Sequence, residues 1–199
     1  MRTVAEHVNT YLKQSKQELK FFTPIFRESG LSTYDLSSFT SYSQTIQTVY
    51  LLDQSGRVVR ASPQQAEQRQ KYHGALESAS IQERLYLTPP YSSNYHQEIV
   101  VGMVQPGSGN RMLLAELDLR ALQNFLQRLT HHMVSDSIIL TDAYGNLLGH
   151  PDMERINQRT NIGNRKIISS MNDKEIGSEF FQRNGAMHFM SPTEIQISN

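Results

Sequence analysis

Val49-Tyr50-Leu51-Leu52-Asp53-Gln54-Ser55-Gly56-Arg57-Val58-Val59 is answered later in the chain by Ile138-Ile139-Leu140-Thr141-Asp142-Ala143-Tyr144-Gly145-Asn146-Leu147-Leu148. In both stretches an apolar run is closed by Asp-x-x-Gly and resumes with branched apolar residues, the pattern of a strand, a tight turn and a returning strand. The aspartate can accept backbone N–H groups two or three residues on, and the glycine supplies the positive φ that such a turn needs. Turn formation is therefore the first role assigned to Asp53 and Asp142. They stand 89 positions apart, too far for a solenoid repeat and the right spacing for two small α/β modules in series.

Composition narrows the function. The 199 residues include 38% hydrophobic side chains, enough for one substantial core or two small ones. Lys and Arg number 19, as do Asp and Glu, so no basic field argues for nucleic acid or an anionic membrane surface. Cysteine is absent, which removes disulfides, thiolate metal sites and cysteine nucleophiles but fits a reducing cytoplasm and a bacterial periplasm equally. No run of about 18 apolar residues is present, and Met1 to His7 lack an apolar signal-peptide core, so the piece reads as soluble. The last residues, 191–199, open a new strand, as expected of a fragment excised from a longer protein.

Between residues 3 and 27, Val4, Val8, Tyr11/Leu12, Ser15, Leu19, Phe22 and Phe26 recur at spacings of three and four with Lys13, Lys16, Gln17 and Lys20 between them. This predicts a long amphipathic helix, bent or ended by Pro24 and terminated by Gly30. A second helix is predicted from Ser37 to about Gln47, capped by Asp35 or Ser37. Pro63 to Leu76 is polar and reads as a short surface helix or loop. Strands follow at Arg84 to Thr88, about Gln97 to Val104, and Arg111 to Leu117, the last two joined by a turn at Pro106-Gly107-Ser108-Gly109-Asn110, so the central sheet is expected to be antiparallel. Asp118 to Leu129 has a helical apolar stripe and bridges to the second hairpin. Beyond it come a Pro151 to Arg155 connection, a polar stretch through Lys174, and a hairpin around Asn184-Gly185.

A long N-terminal helix, strand-Asp-x-x-Gly-strand, Arg69-x-x-Tyr72-x-x-Ala75, Pro90-Tyr91-Ser92-Ser93, Glu116-Leu117-Asp118-Leu119-x-x-Leu122, and Thr141-Asp142-x-x-Gly145-x-Leu147-Leu148-x-His150-Pro151 follow one another in that order. In this order the chain resembles a double Cache (dCache) sensor domain over nearly its whole length. The resemblance implies an α+β fold: a long N-terminal helix followed by two PAS-like modules with central antiparallel sheets, the second smaller or incomplete. It implies a helical stalk over 1–47, a membrane-distal module over 48–130 and a truncated membrane-proximal module over 131–199. Similar domains form the extracytoplasmic, periplasmic part of bacterial chemoreceptors, histidine kinases and diguanylate cyclases, anchored to the membrane in the full-length protein. They usually bind a small ligand in the distal module.

In the amino-acid-binding branch of that family an Arg holds the ligand carboxylate, while acidic side chains and Tyr hold its ammonium. A guanidinium fork matches a carboxylate bidentately, and a desolvated ammonium needs anionic or aromatic partners. Arg69 and Tyr72 match the Arg and Tyr of Arg-x-Trp-Tyr, with Lys71 in place of Trp. Tyr91 matches the Tyr of Tyr-x-Asp, with Ser93 in place of Asp. Glu116 stands where a later Asp is found. The ligand-binding residues implied are Arg69, Lys71, Tyr72, Tyr91, Ser93 and Glu116, and two cations with fewer acids suit a small carboxylate or another small polar metabolite better than an α-amino acid. The residues alone leave Arg69 and Lys71 open to being one solvated helix face, and Glu116 to being a satisfied strand end.

No cofactor or metal is expected. His131 and His132 are adjacent and point about 100° apart on a helix, unlike metal-binding pairs at i, i+4. Ser92 and Ser93 lie near His96 but lack a Gly-x-Ser-x-Gly elbow and a positioned acid, so the module is expected to be non-catalytic. The rival readings are a ligand-free Cache module serving dimerisation or signal relay and, more remotely, a cytoplasmic enzyme fragment. The length of its apolar stripe predicts that the N-terminal helix packs along both modules, pairs with a second copy in a homodimer, or does both.

Overall fold

The computed structural model describes residues 2–28, 33–68, 85–107, 111–131, 138–142, 144–163, 179–183 and 186–190. Helix α1 spans Arg2–Glu28. Val8, Tyr11, Ser15, Leu19 and Phe22 are buried along one face, at the spacing the sequence predicts. The helix runs through Pro24, which neither ends it there nor prevents another turn, since a proline removes a single ladder hydrogen bond. Helix α2 covers Thr33–Tyr42, so it begins before both expected caps, and Asp35 and Ser37 lie inside it. It also ends five residues short of Gln47, because Ser43 turns the chain: its hydroxyl accepts the Ile46 N–H at 2.8 Å.

Strands β1 (Ile46–Leu52), β2 (Val58–Ser62), β3 (Tyr86–Leu87), β6 (Gly102–Pro106) and β7 (Met112–Leu117) form one sheet in the order β2-β1-β7-β6-β3, with every neighbour antiparallel. Strands β4 (Tyr91–Ser92) and β5 (Ile99–Val100) make a separate hairpin. The expected strand from Gln97 to Val104 is thus two strands, β5 and β6. A 3-10 turn at Gln64–Gln68 opens the polar segment after β2.

Register decides what the sheet presents, because alternate residues face opposite sides. Tyr50 pairs with Leu114 and Ala61, Leu114 with Val104, and Val104 with Tyr86; these share a face and one cluster with Leu52 and Ala66, against which Tyr91 and Tyr95 pack. The opposite face carries Val49, Leu51, Met103, Leu113, Ala115 and Leu117, all buried and all apolar. Each leucine there contributes roughly 2 kcal/mol through burial. Helix α2 lies on β1 and β2, and Phe22 of α1 meets Phe39 of α2 with ring centroids 4.5 Å apart. Tyr11 fastens α1 to the sheet's beginning and end at once, donating to the Asp118 carbonyl at 2.6 Å and lying 3.1 Å from that of Thr45.

The chain divides into two compact units, Tyr11–Leu122 and a second made of 1–10 with 123–199. Helix α3 spans Leu119–His131. In the second unit Phe125 stacks on His7 at 3.7 Å, and Leu126, Leu147 and Ile156 are buried. Strands β8 (Leu140–Thr141) and β9 (Leu147–Gly149) flank the second Asp-x-x-Gly turn. The Pro151 to Arg155 connection is in part a short helix, α4 (Met153–Asn157), capped by the Asp152 side chain accepting from Glu154 N–H. Strands β10 (Glu179–Arg183) and β11 (Ala186–Met190) pair as the expected hairpin, while residues 164–178 and the Asn184-Gly185 tip lie outside the described residues.

Candidate functional site

Strand β7 is apolar along its length except at Glu116, which shares the Tyr50 face and is 0% exposed. A fully buried carboxylate is costly unless hydrogen-bonded. Ser93 Oγ donates to Glu116 Oε2 at 2.9 Å, and Tyr91 OH lies 3.4 Å from Glu116 Oε1. Three of the six sequence-predicted site residues are therefore brought together. Arg69, Lys71 and Tyr72 lie outside the described residues.

Ser93 also organises the loop that carries it. Its hydroxyl accepts the N–H groups of Tyr95 at 3.2 Å and His96 at 3.0 Å, so with the donation to Glu116 its full hydrogen-bonding capacity is used. The loop closes through Ser93 N–H to the Glu98 carbonyl at 2.7 Å, and Gln97 takes a left-handed φ of 60° to complete it. Where the resembling motif has an acid, this chain has a hydroxyl that ties a loop to a buried acid on another strand.

Four further residues complete this polar corner, and sequence reasoning did not single them out as site residues. Thr48 stands beside Glu116 on β1 and pairs with His96 Nε2 at 2.8 Å. Gly102 stands opposite Glu116 on β6, and its N–H donates to Thr88 Oγ1 at 2.9 Å. A Cβ on Gly102 would lie 3.0 Å from Tyr91 OH and 2.7 Å from Leu114 Cδ1, so only glycine leaves room there. The available signal was parity: Thr48 and Gly102 stand two residues before Tyr50 and Val104, on the same side of their strands. Among the described residues no group of three His, Asp or Glu side chains is placed to hold a metal ion.

Burial holds the His96 imidazole below its ordinary value, helped by the Arg120 charge and opposed by Glu98 and Asp118. His150, in the second unit, is lowered by burial and by Arg155 against the opposing influence of Asp152. Unfolding releases both rings to take up protons, so below about pH 6.5 the unfolded chain binds more protons than the native one. The stability linked to these rings is complete above about pH 6.5 and lost as the pH falls through their lowered native values. The melting temperature is expected to fall between about pH 7.5 and 5.5, with a shallower slope in His96→Gln and His150→Gln; equal slopes in all three proteins contradict this.

No protein-family model matches the sequence, and no curated protein does. Solved structures do. The ligand-binding domain of the Pseudomonas fluorescens chemoreceptor CtaA, solved with L-alanine, aligns with a TM-score of 0.72 at 15% identity, over 98% of this chain and 87% of that one. The ligand-binding domain of the Pseudomonas aeruginosa amino acid chemoreceptor PctC, solved with GABA, aligns with a TM-score of 0.64 at 16% identity, over 98% and 89%. An extracellular ligand-binding receptor from Desulfohalobium retbaense aligns with a TM-score of 0.71 at 11% identity; 94% of this chain is covered, but the chain spans only 35% of that protein's length. No described helix is long and apolar enough to cross a membrane. This chain has the α+β fold of the ligand-binding domains of bacterial chemoreceptors, the fold that the double Cache resemblance implies.

Proposed function

We propose that this chain is the ligand-sensing extracytoplasmic region of a bacterial signal-transduction receptor, with a non-catalytic role. Its first module (48–130) holds a small polar or anionic molecule between Arg69, Lys71 and Tyr72 on one side and Tyr91, Ser93 and Glu116 on the other. Residues 1–47 form the stalk, 131–199 the membrane-proximal module, and the N-terminal helices of two copies pair. The observation that carries the reading is the fully buried carboxylate that the sheet sets among hydroxyls on its Tyr50 face. A core built for stability alone has little use for such a group, since an apolar side chain of the same size serves as well. That similar domains were solved with L-alanine and with GABA supports a small metabolite as the kind of ligand.

Occupancy would tighten the clamp of strands on the ligand and pass the shift along the chain toward the membrane. The test is a thermal-shift screen of the purified protein against acetate, propionate, succinate, L-alanine, L-asparagine and GABA. A binder at about 100 times its Kd stabilises the fold by about 2.7 kcal/mol, a rise in melting temperature of several degrees. No shift with any compound at millimolar concentration favours the ligand-free module instead.

A further inference from the structure

The β3 strand at the sheet's edge contributes one hydroxyl that the site as drawn does not use. Tyr86 pairs with Val104, which places its ring on the same face as Tyr50, Leu114 and Glu116, and it packs against that cluster beside Tyr91 and Tyr95. Its hydroxyl oxygen is closed off from solvent and has no hydrogen-bond partner among the described residues. Most buried hydroxyls are satisfied, and one that is not calls for a reason. Phenylalanine would fill the same space without stranding a polar atom, so packing does not supply that reason.

We propose that the Tyr86 hydroxyl is a ligand-binding group, donating a hydrogen bond to an acceptor oxygen, carboxylate or carbonyl, of the molecule held beside Tyr91 and Glu116. The inference rests on the reading of this unit as a small-molecule sensor and adds to it a donor on the far side of the site from the buried acid. By sheet spacing the Tyr86 and Glu116 Cα atoms stand roughly 12 Å apart, two strands across and one same-face step along. Both residues belong to one face of the sheet, at a separation that a compact metabolite with polar groups at both ends would bridge. Burial pushes the Tyr86 phenol up to about 12, so it keeps its proton and remains a donor at any pH at which the sensor works.

The experiment compares wild type with Tyr86→Phe, which removes one oxygen and nothing else. Melting of the ligand-free proteins is followed first, then calorimetric titration with whichever of acetate, propionate, succinate, L-alanine, L-asparagine and GABA stabilises wild type most. The expected result is an unchanged or higher melting temperature for ligand-free Tyr86→Phe together with an affinity lower by about tenfold or more. Equal affinity within about twofold overturns the role of Tyr86 and leaves the sensor reading standing. A ligand-free variant that melts several degrees lower shows that the hydroxyl is used within the protein, and overturns it too. If none of the six compounds binds wild type, the sensor reading itself fails for small carboxylates and amino acids, and the proposal falls with it.

Discussion

Replacing Glu116 by alanine is expected to destabilise the Tyr11–Leu122 unit by about 3 kcal/mol, a fall in melting temperature on the order of 10 °C. The carboxylate is fully buried and takes the Ser93 hydroxyl at 2.9 Å with Tyr91 OH beside it. Truncation removes the acceptor of the Ser93 hydroxyl proton and the carboxylate beside Tyr91 OH, and opens a cavity between Thr48 and Gly102, its neighbours on β1 and β6. The loss spreads to the loop that follows, since the same Ser93 hydroxyl holds the Tyr95 and His96 N–H groups. Glu116→Gln keeps shape and one acceptor while removing the charge, and is expected to cost far less, because a buried charge adds little net stability over a neutral group of its size. The pair also reports on the ligand. A simple carboxylate is expected to bind Glu116→Gln almost normally and to lose about 2–4 kcal/mol of binding in Arg69→Ala, while a ligand with an ammonium is expected to show the reverse order of severity for Glu116→Gln. Melting of Glu116→Ala within about 2 °C of wild type would sink the structural half of this expectation.

The repeated phrase was the most legible part of the chain, and the two turns agree bond for bond. Asp53 Oδ1 accepts Ser55 N–H at 2.8 Å and Arg57 N–H at 2.9 Å; Asp142 Oδ1 accepts Tyr144 N–H and Asn146 N–H, both at 2.9 Å. Gly56 and Gly145 have φ of 76° and 81°. Such turns are readable because every partner lies within four residues. The α1 stripe is readable for the same reason, periodicity being local. The start of α2 was not, because an Asp or Ser serves equally as a cap and as a first-turn residue facing the helix's positive end. At the site, Tyr91, Ser93 and Glu116 were found through the order of motifs. Thr48 and His96 bond across 48 residues, and the Gly102 position opposite Glu116 exists only once β6 and β7 are in register. Long-range register is a property of the folded sheet, so no local pattern announces it. Register also joins Ser93, which stands where the resembling motif has an acid, to the buried Glu116 of another strand.

Gly145→Ala is expected to unfold the β8–β9 hairpin region and to lower the stability of the second unit by about 3 kcal/mol or more. The left-handed backbone at φ 81° costs alanine about 1 kcal/mol by itself. The larger cost is steric, because a Cβ there would collide with the backbone N and Cα of Gly163. That backbone cannot retreat freely. Ile162 N–H donates to the Gly145 carbonyl at 2.9 Å, Asn161 Nδ2 to the Tyr144 carbonyl at 3.1 Å and to Asn146 Oδ1 at 2.7 Å, and Gly163 N–H to Asn161 Oδ1 at 2.7 Å. The segment 160–163 is thus latched across the turn, and moving it far enough for a methyl group breaks several of these bonds together, so backbone strain and lost hydrogen bonds add. The hairpin connects to the rest of its unit through β9, where Gln123 brackets His150, its Oε1 accepting the His150 N–H at 3.1 Å and its Nε2 donating to the His150 carbonyl. Hydrogen exchange resolves the outcome: amides of residues 140–149 and 160–163 are expected to lose most of their protection in Gly145→Ala, while those of β1, β6 and β7 keep theirs. Wild-type protection at 144–147 in the variant would show that the latch gives way at little cost.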